Sequence, residues 1–62
     1  MALYQSEQRS KIRRDKSREA ISLAMEFRWQ EAAEANRSII ELFPEEIEAS
    51  NRLGKALLEL GD

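Results

Sequence analysis

The chain contains neither cysteine nor histidine. Without cysteine there is no disulfide frame and no thiolate metal site. Without histidine it lacks the usual general base at neutral pH and the commonest nitrogen ligand for a metal. Its serines therefore have no partner to activate them, and neither catalysis nor a cofactor is expected. No apolar run approaches the ~20 residues of a membrane helix, and Met1–Gln8 lacks the apolar core of a signal peptide. The expected setting is cytoplasmic, without membrane contact. At 62 residues, apolar burial does little more than offset ~1.5 kcal/mol of conformational entropy per ordered residue. Further stability has to come from tight helix packing or from self-association.

Charge is present but unevenly spread. The net value of −2 divides into +4 over residues 1–18 and −6 over the remainder. The basic excess comes from Arg9, Lys11, Arg13, Arg14, Lys16 and Arg18 against Glu7 and Asp15. A basic helix of this kind admits a nucleic-acid reading as the alternative function. No aromatic ring is interleaved for base stacking, however, and the whole chain is acidic, so nucleic acid is disfavoured as a partner.

With one proline and two glycines, the chain has few stops, and good helix formers fill the space between them. An all-α fold of three antiparallel helices is expected, at about 9–26, 29–43 and 45–60. Residues 1–8 are either a frayed terminus or the first turns of a longer helix. In helix one, Ile12, Ala20, Leu23 and Phe27 share a face. The apolar phase changes across Phe27-Arg28-Trp29, which reads as a tight corner, although one continuous helix from 9 to 43 remains open. Helix two carries Trp29, Ala32, Ala33, Asn36, Ile39, Ile40 and Phe43 on a core-facing stripe, interrupted only by Asn36. Pro44 pushes Phe43 out of the α region and ends this helix. Helix three should bury Ile47, Ser50, Leu53, Gly54, Leu57 and Leu60 and stop at Gly61. Glycine inside a helix costs ~1 kcal/mol relative to alanine, so Gly54 implies a close helix crossing, with Ala32 and Ala33 as the matching small residues.

Ala20…Leu23 and Gly54…Leu57 repeat at a spacing of 34 residues, the period of stacked helical hairpins. Ala20-x2-Leu23, Ala32-x3-Asn36, Pro44 and Leu53-Gly54-x2-Leu57 resemble the tetratricopeptide repeat family. Ser50 and Asn36 stand where that pattern has aromatic rings. The resemblance covers residues 13–62, one repeat and the first helix of a second, with residues 1–12 as a basic extension. It implies a right-handed helical-hairpin array that serves as a non-enzymatic protein-interaction scaffold. The implied groove for a protein or peptide partner is formed by Arg14, Ser17, Arg18, Ile21 and Met25 with Glu48, Asn51, Arg52, Lys55, Leu58 and Glu59. Ser17 and Ile21 depart from the family's carboxylate-binding set, so that activity does not carry over. Ile21 and Met25 are apolar on a polar face and fit a partner contact, unless the residues before Arg9 or another subunit cover them. Arrays of this kind usually need about three repeats. Either the remainder of an array or a second copy in a two-fold dimer is therefore expected to cover Ile47, Leu53, Leu57 and Leu60.

Overall fold

A computed structural model describes the backbone of residues 2–61 and the side chains of residues 7–61. The fold is all-α: α1 spans Ala2–Met25, α2 Trp29–Leu42 and α3 Ile47–Glu59. No strand occurs among the described residues. With principal extents of 45 × 19 × 13 Å, the molecule is a short rod.

Nothing between Ala2 and Met25 interrupts α1, which contains no proline or glycine. Residues 2–8 are thus its first turns. A helix of this length runs about 36 Å in one direction, so its first turns cannot fold back over Ile21 and Met25. The end of α1 is built without glycine. Phe27 adopts φ 60°, its N–H bonding to Ala24 O at 2.9 Å while the Arg28 N–H bonds to Leu23 O at 2.9 Å. This pair of bonds is the Schellman arrangement, in which the left-handed residue normally lacks a Cβ. The corner expected at Phe27–Trp29 forms, and the continuous-helix alternative does not. Because Phe27 turns out of the helix, its ring stands 77% exposed and meets Trp29 edge-on at 6.1 Å. It does not join the α1 core face as expected, and Ile12 on that face also remains largely exposed.

The stripe expected for α2 is the one observed. Ala32, Ala33, Asn36, Ile39 and Phe43 are buried, with Trp29 and Ile40 partly so. The helix ends where Phe43 becomes extended, at φ −135° and ψ 75°, one residue before Pro44. A turn over Pro44 and Glu45 follows, the Glu46 N–H bonds back to Phe43 O at 2.9 Å, and α3 begins. Gly61 ends this segment at φ 87°, a conformation that glycine adopts without steric cost. Asp62 lies outside the described residues.

α2 packs against both α1 and α3. Two small clusters make the core: Ala20, Ile39, Phe43 and Ala49 at one end, and Ala32, Ala33 and Ala56 at the other. Leu23, Ala24, Trp29 and Leu53 flank the second cluster. Alanine at the crossings lets helices come close but removes little apolar area from water, so Ile39 and Phe43 are the bulky members of this core.

The orientation of α3 differs from the expected one. It meets α2 through Ala49, Leu53 and Ala56. Ser50 and Gly54 are exposed, as are Ile47, Leu57 and Leu60. A Cβ added at Gly54 would have nothing within 4 Å, so the close approach between α2 and α3 is made at Ala56 and not at Gly54. The physical reason is that the apolar arc of α3 is broad, about 200° from Ala56 round to Leu58 at 100° per residue, and wider than the strip that α2 covers. Ala49 and Ala56 seat closer to α2 than isoleucine and leucine would, and Asn36 on α2 draws Arg52 inward.

Candidate functional site

Arg14, Arg18, Ile21 and Met25 form one stripe along α1, as the i, i+4, i+7, i+11 spacing requires. All four are exposed, Met25 at 75%. Ser17, beside them, is half-buried. On α3, Glu48, Asn51, Lys55, Leu58 and Glu59 are exposed, and Lys55 Nζ pairs with Glu59 at 3.0 Å. The two stripes lie on helices that both pack against α2.

Arg52 does not belong to this open surface. Its Nε donates to Asn36 Oδ1 at 2.9 Å, and Asn36 Nδ2 donates to Ala32 O at 2.9 Å. Asn36 is fully buried. A buried amide must find partners for its polar atoms, and here the backbone of α2 supplies one and α3 the other. Arg52 Nη2 is itself buried without a hydrogen-bond partner. The arginine expected to line a groove thus acts as a polar pin between two helices. The interruption of the α2 stripe at Asn36 was the visible signal of a polar core contact, but nothing in the sequence names its partner.

Of the residues expected to be covered by another chain, Leu53 is partly buried within the monomer. Ile47 is 72% exposed, and Leu57 and Leu60 each expose more than a third of their surface. Leu58, assigned to the groove stripe, is 77% exposed.

The basic segment is partly consumed by the fold. The Arg9 guanidinium sits 4.6 Å from the centroid of the Phe43 ring and bonds to Glu45 at 3.0 Å. Arg13 lies 3.9 Å from Glu46. A cation over an aromatic face and two adjacent carboxylates tie α1 to the turn that precedes α3. Glu45 is held below the usual carboxylate range, first by its own backbone N–H and then by Arg9. These contacts leave Lys11, Arg14, Lys16 and Arg18 without a continuous basic stripe that includes Arg9 and Arg13, which weakens the nucleic-acid reading. Beside the left-handed corner, Arg28 donates to both oxygens of Glu31 at 2.7 and 2.6 Å and to Glu26 at 3.2 Å. The Glu31 bond, followed by the Glu26 bond, raises its pKa. Glu31 also occupies the first turn of α2, where a carboxylate faces the positive end of the helix dipole.

An open groove of about 380 Å³ between α1 and α2 is lined by Lys16, Glu19, Glu31 and Glu34 together with Leu23, Ala35 and Ser38. Its acids do not converge: no group of three or more carboxylates placed to hold a metal occurs among the described residues. No described helix is long and apolar enough to cross a membrane. No protein-family model matches the chain, and no curated protein or solved structure matches it either.

Proposed function

We propose that this protein is a helical-hairpin interaction module of tetratricopeptide-repeat type, a scaffold and not an enzyme. It binds a protein or peptide segment in the cytoplasm through the exposed stripe of α1. The observation that carries the reading is Ile21 and Met25, two apolar side chains left open on a stripe otherwise occupied by arginines. The continuous α1 removes the chain's own first residues as their cover. Pairwise packing of consecutive helices through small residues is how solenoid repeats are assembled, and Ala20 and Ala32 are both buried here. In the right-handed arrangement that the repeat resemblance implies, Asn51, Lys55 and Leu58 of α3 form the second wall of the same groove. An extended segment carrying a hydrophobic anchor beside acidic residues suits Ile21 and Met25 flanked by Arg14 and Arg18.

Selection of a random-peptide library on the immobilised protein tests the proposal. Enriched peptides are expected to combine an apolar anchor with acidic neighbours, and to lose binding to Ile21→Asp and Met25→Asp. Both positions are exposed, so helicity should survive either change. Failure to enrich, or undiminished binding to both variants, refutes the groove.

A further inference from the structure

The stripe on α1 also sets the spacing of charges in the segment it takes; this inference rests on the groove reading and adds a register to it. At 100° per residue, Arg14, Arg18, Ile21 and Met25 fall within about 60° of arc. Arg9, Arg13, Arg28 and Arg52 are each engaged by a side chain of the fold. Arg14 and Arg18 are exposed and make no ion pair among the described residues, either with Glu48 on α3 or with any other carboxylate. The nearest acids on α1, Asp15 and Glu19, lie about 60–100° further round from Arg18. Like charges one turn apart disfavour the helix that carries them, and nothing within the monomer offsets this repulsion. An anionic visitor does.

The order of residues along the stripe identifies that visitor. A nucleic-acid backbone carries charge at every step, so cations would have to continue where Ile21 and Met25 stand. A polypeptide can change from acidic to apolar within one segment. Ala20 of α1 and Ala49 of α3 share a core cluster, and Arg13 reaches Glu46 just before α3, so the two helices are neighbours. Between axes ~8–10 Å apart, an extended chain seats more deeply than a helix ~10–12 Å across. On one side of an extended chain, side chains recur every second residue, about 6.6 Å apart. Measured along α1 from the midpoint of Ile21 and Met25, Arg18 lies about 7 Å away and Arg14 about 13 Å. These separations match the second and fourth residues of such a chain. We infer that the groove selects an extended segment in which carboxylates stand at the second and fourth positions from an apolar anchor. The nearer carboxylate pairs with Arg18 and the farther with Arg14, each guanidinium offering a two-pronged donor.

Fluorescence anisotropy at low ionic strength, with short labelled peptides, tests this register. The probes are Leu-x-Glu-x-Glu and Glu-x-Glu-x-Leu, with serine or glycine at x. One of them should bind about tenfold more tightly than peptides whose glutamates stand third and seventh from the leucine, the spacing of a helical partner. Arg18→Glu should weaken the better probe about tenfold, with recovery when lysine replaces the second-position glutamate but not the fourth. Arg14→Glu should recover with lysine at the fourth position only. Recovery shows in the same measurement that the variants fold. Equal rescue from either position, or tighter binding of the helix-spaced peptides, would overturn the register. The groove itself would then stand if binding were still lost in Ile21→Asp and Met25→Asp. Displacement of the peptide by an oligonucleotide that binds Ile21→Asp equally well would assign the arginines to a phosphate backbone and also overturn the inference. Absence of binding by every peptide would refute the groove and the register together.

Discussion

Arg52 and Asn36 offer the sharpest test of how α3 is held. Replacing Arg52 with methionine keeps the aliphatic bulk but leaves Asn36 Oδ1 buried without its 2.9 Å donor. An orphaned buried acceptor costs ~1–3 kcal/mol. Replacing Asn36 with leucine orphans the guanidinium instead, whose Nη2 is already buried and unpartnered. Because Arg52 is only half-buried, solvent limits this loss, and ~2–3 kcal/mol is expected. A domain of this size has a total stability of about 3–9 kcal/mol, so either change removes a large share. Combining Asn36→Leu with Arg52→Met removes both polar partners and places two apolar side chains in contact. The double variant should lie within ~1 kcal/mol of the parent, or above it. Urea unfolding followed by circular dichroism, at one fixed protein concentration, gives all four stabilities. If the double variant loses the sum of the single losses, the two residues are not coupled and the pin does not exist.

Three further outcomes follow from the geometry. At position 27 the left-handed backbone reverses the usual ranking of glycine and alanine: Phe27→Gly should be more stable than Phe27→Ala by ~1 kcal/mol in thermal unfolding, with the lost ring common to both. Glu45 has its folded pKa below the ordinary value of 4.5, first through its own backbone N–H and then through Arg9, so the charged carboxylate contributes stability above that value and loses it as pH falls through the lowered folded pKa. Acid unfolding profiles should therefore become shallower below about pH 4.5 in Glu45→Gln, and an unchanged slope would exclude that contribution. Gly54→Ala should raise helix stability by ~1 kcal/mol at concentrations low enough to keep the protein monomeric, because the added methyl meets open space. Destabilisation there would mean that the backbone is crowded within the monomer.

Much of the fold was legible from periodicity and punctuation. The α2 stripe from Trp29 to Phe43, the break at Pro44 and the stop at Gly61 follow from local rules, since an amphipathic pattern, a proline and a glycine each act on their own neighbours. The candidate site was legible only where it depends on one helix. The exposure of Ile21 and Met25 follows from their phase on α1. The role of Arg52 does not, because a guanidinium on a helix surface becomes a core contact only when a particular amide sits opposite. In the same way Arg9 and Arg13 read as free positive charge, whereas Phe43, Glu45 and Glu46, more than thirty residues away in sequence, engage them.

The sequence by itself determined the class of the molecule: three helices, their approximate limits, and the lack of residues for thiolate or histidine chemistry. Those properties depend on composition and on contacts a few residues long. Tertiary structure decided the rotation of α3, which leaves Gly54 in solvent and draws Arg52 inward. Leucine, isoleucine and alanine span a little over half of that helix's circumference, about 200°, so hydrophobic burial alone does not choose which part of that arc faces α2. The choice rests on the close fit of Ala49 and Ala56 against α2 and on the one buried amide that required a donor. The corner at Phe27 belongs to the same category. A phenylalanine in the left-handed region is disfavoured locally, and it persists because the Schellman hydrogen bonds and the packing of α2 back onto α1 oppose that cost.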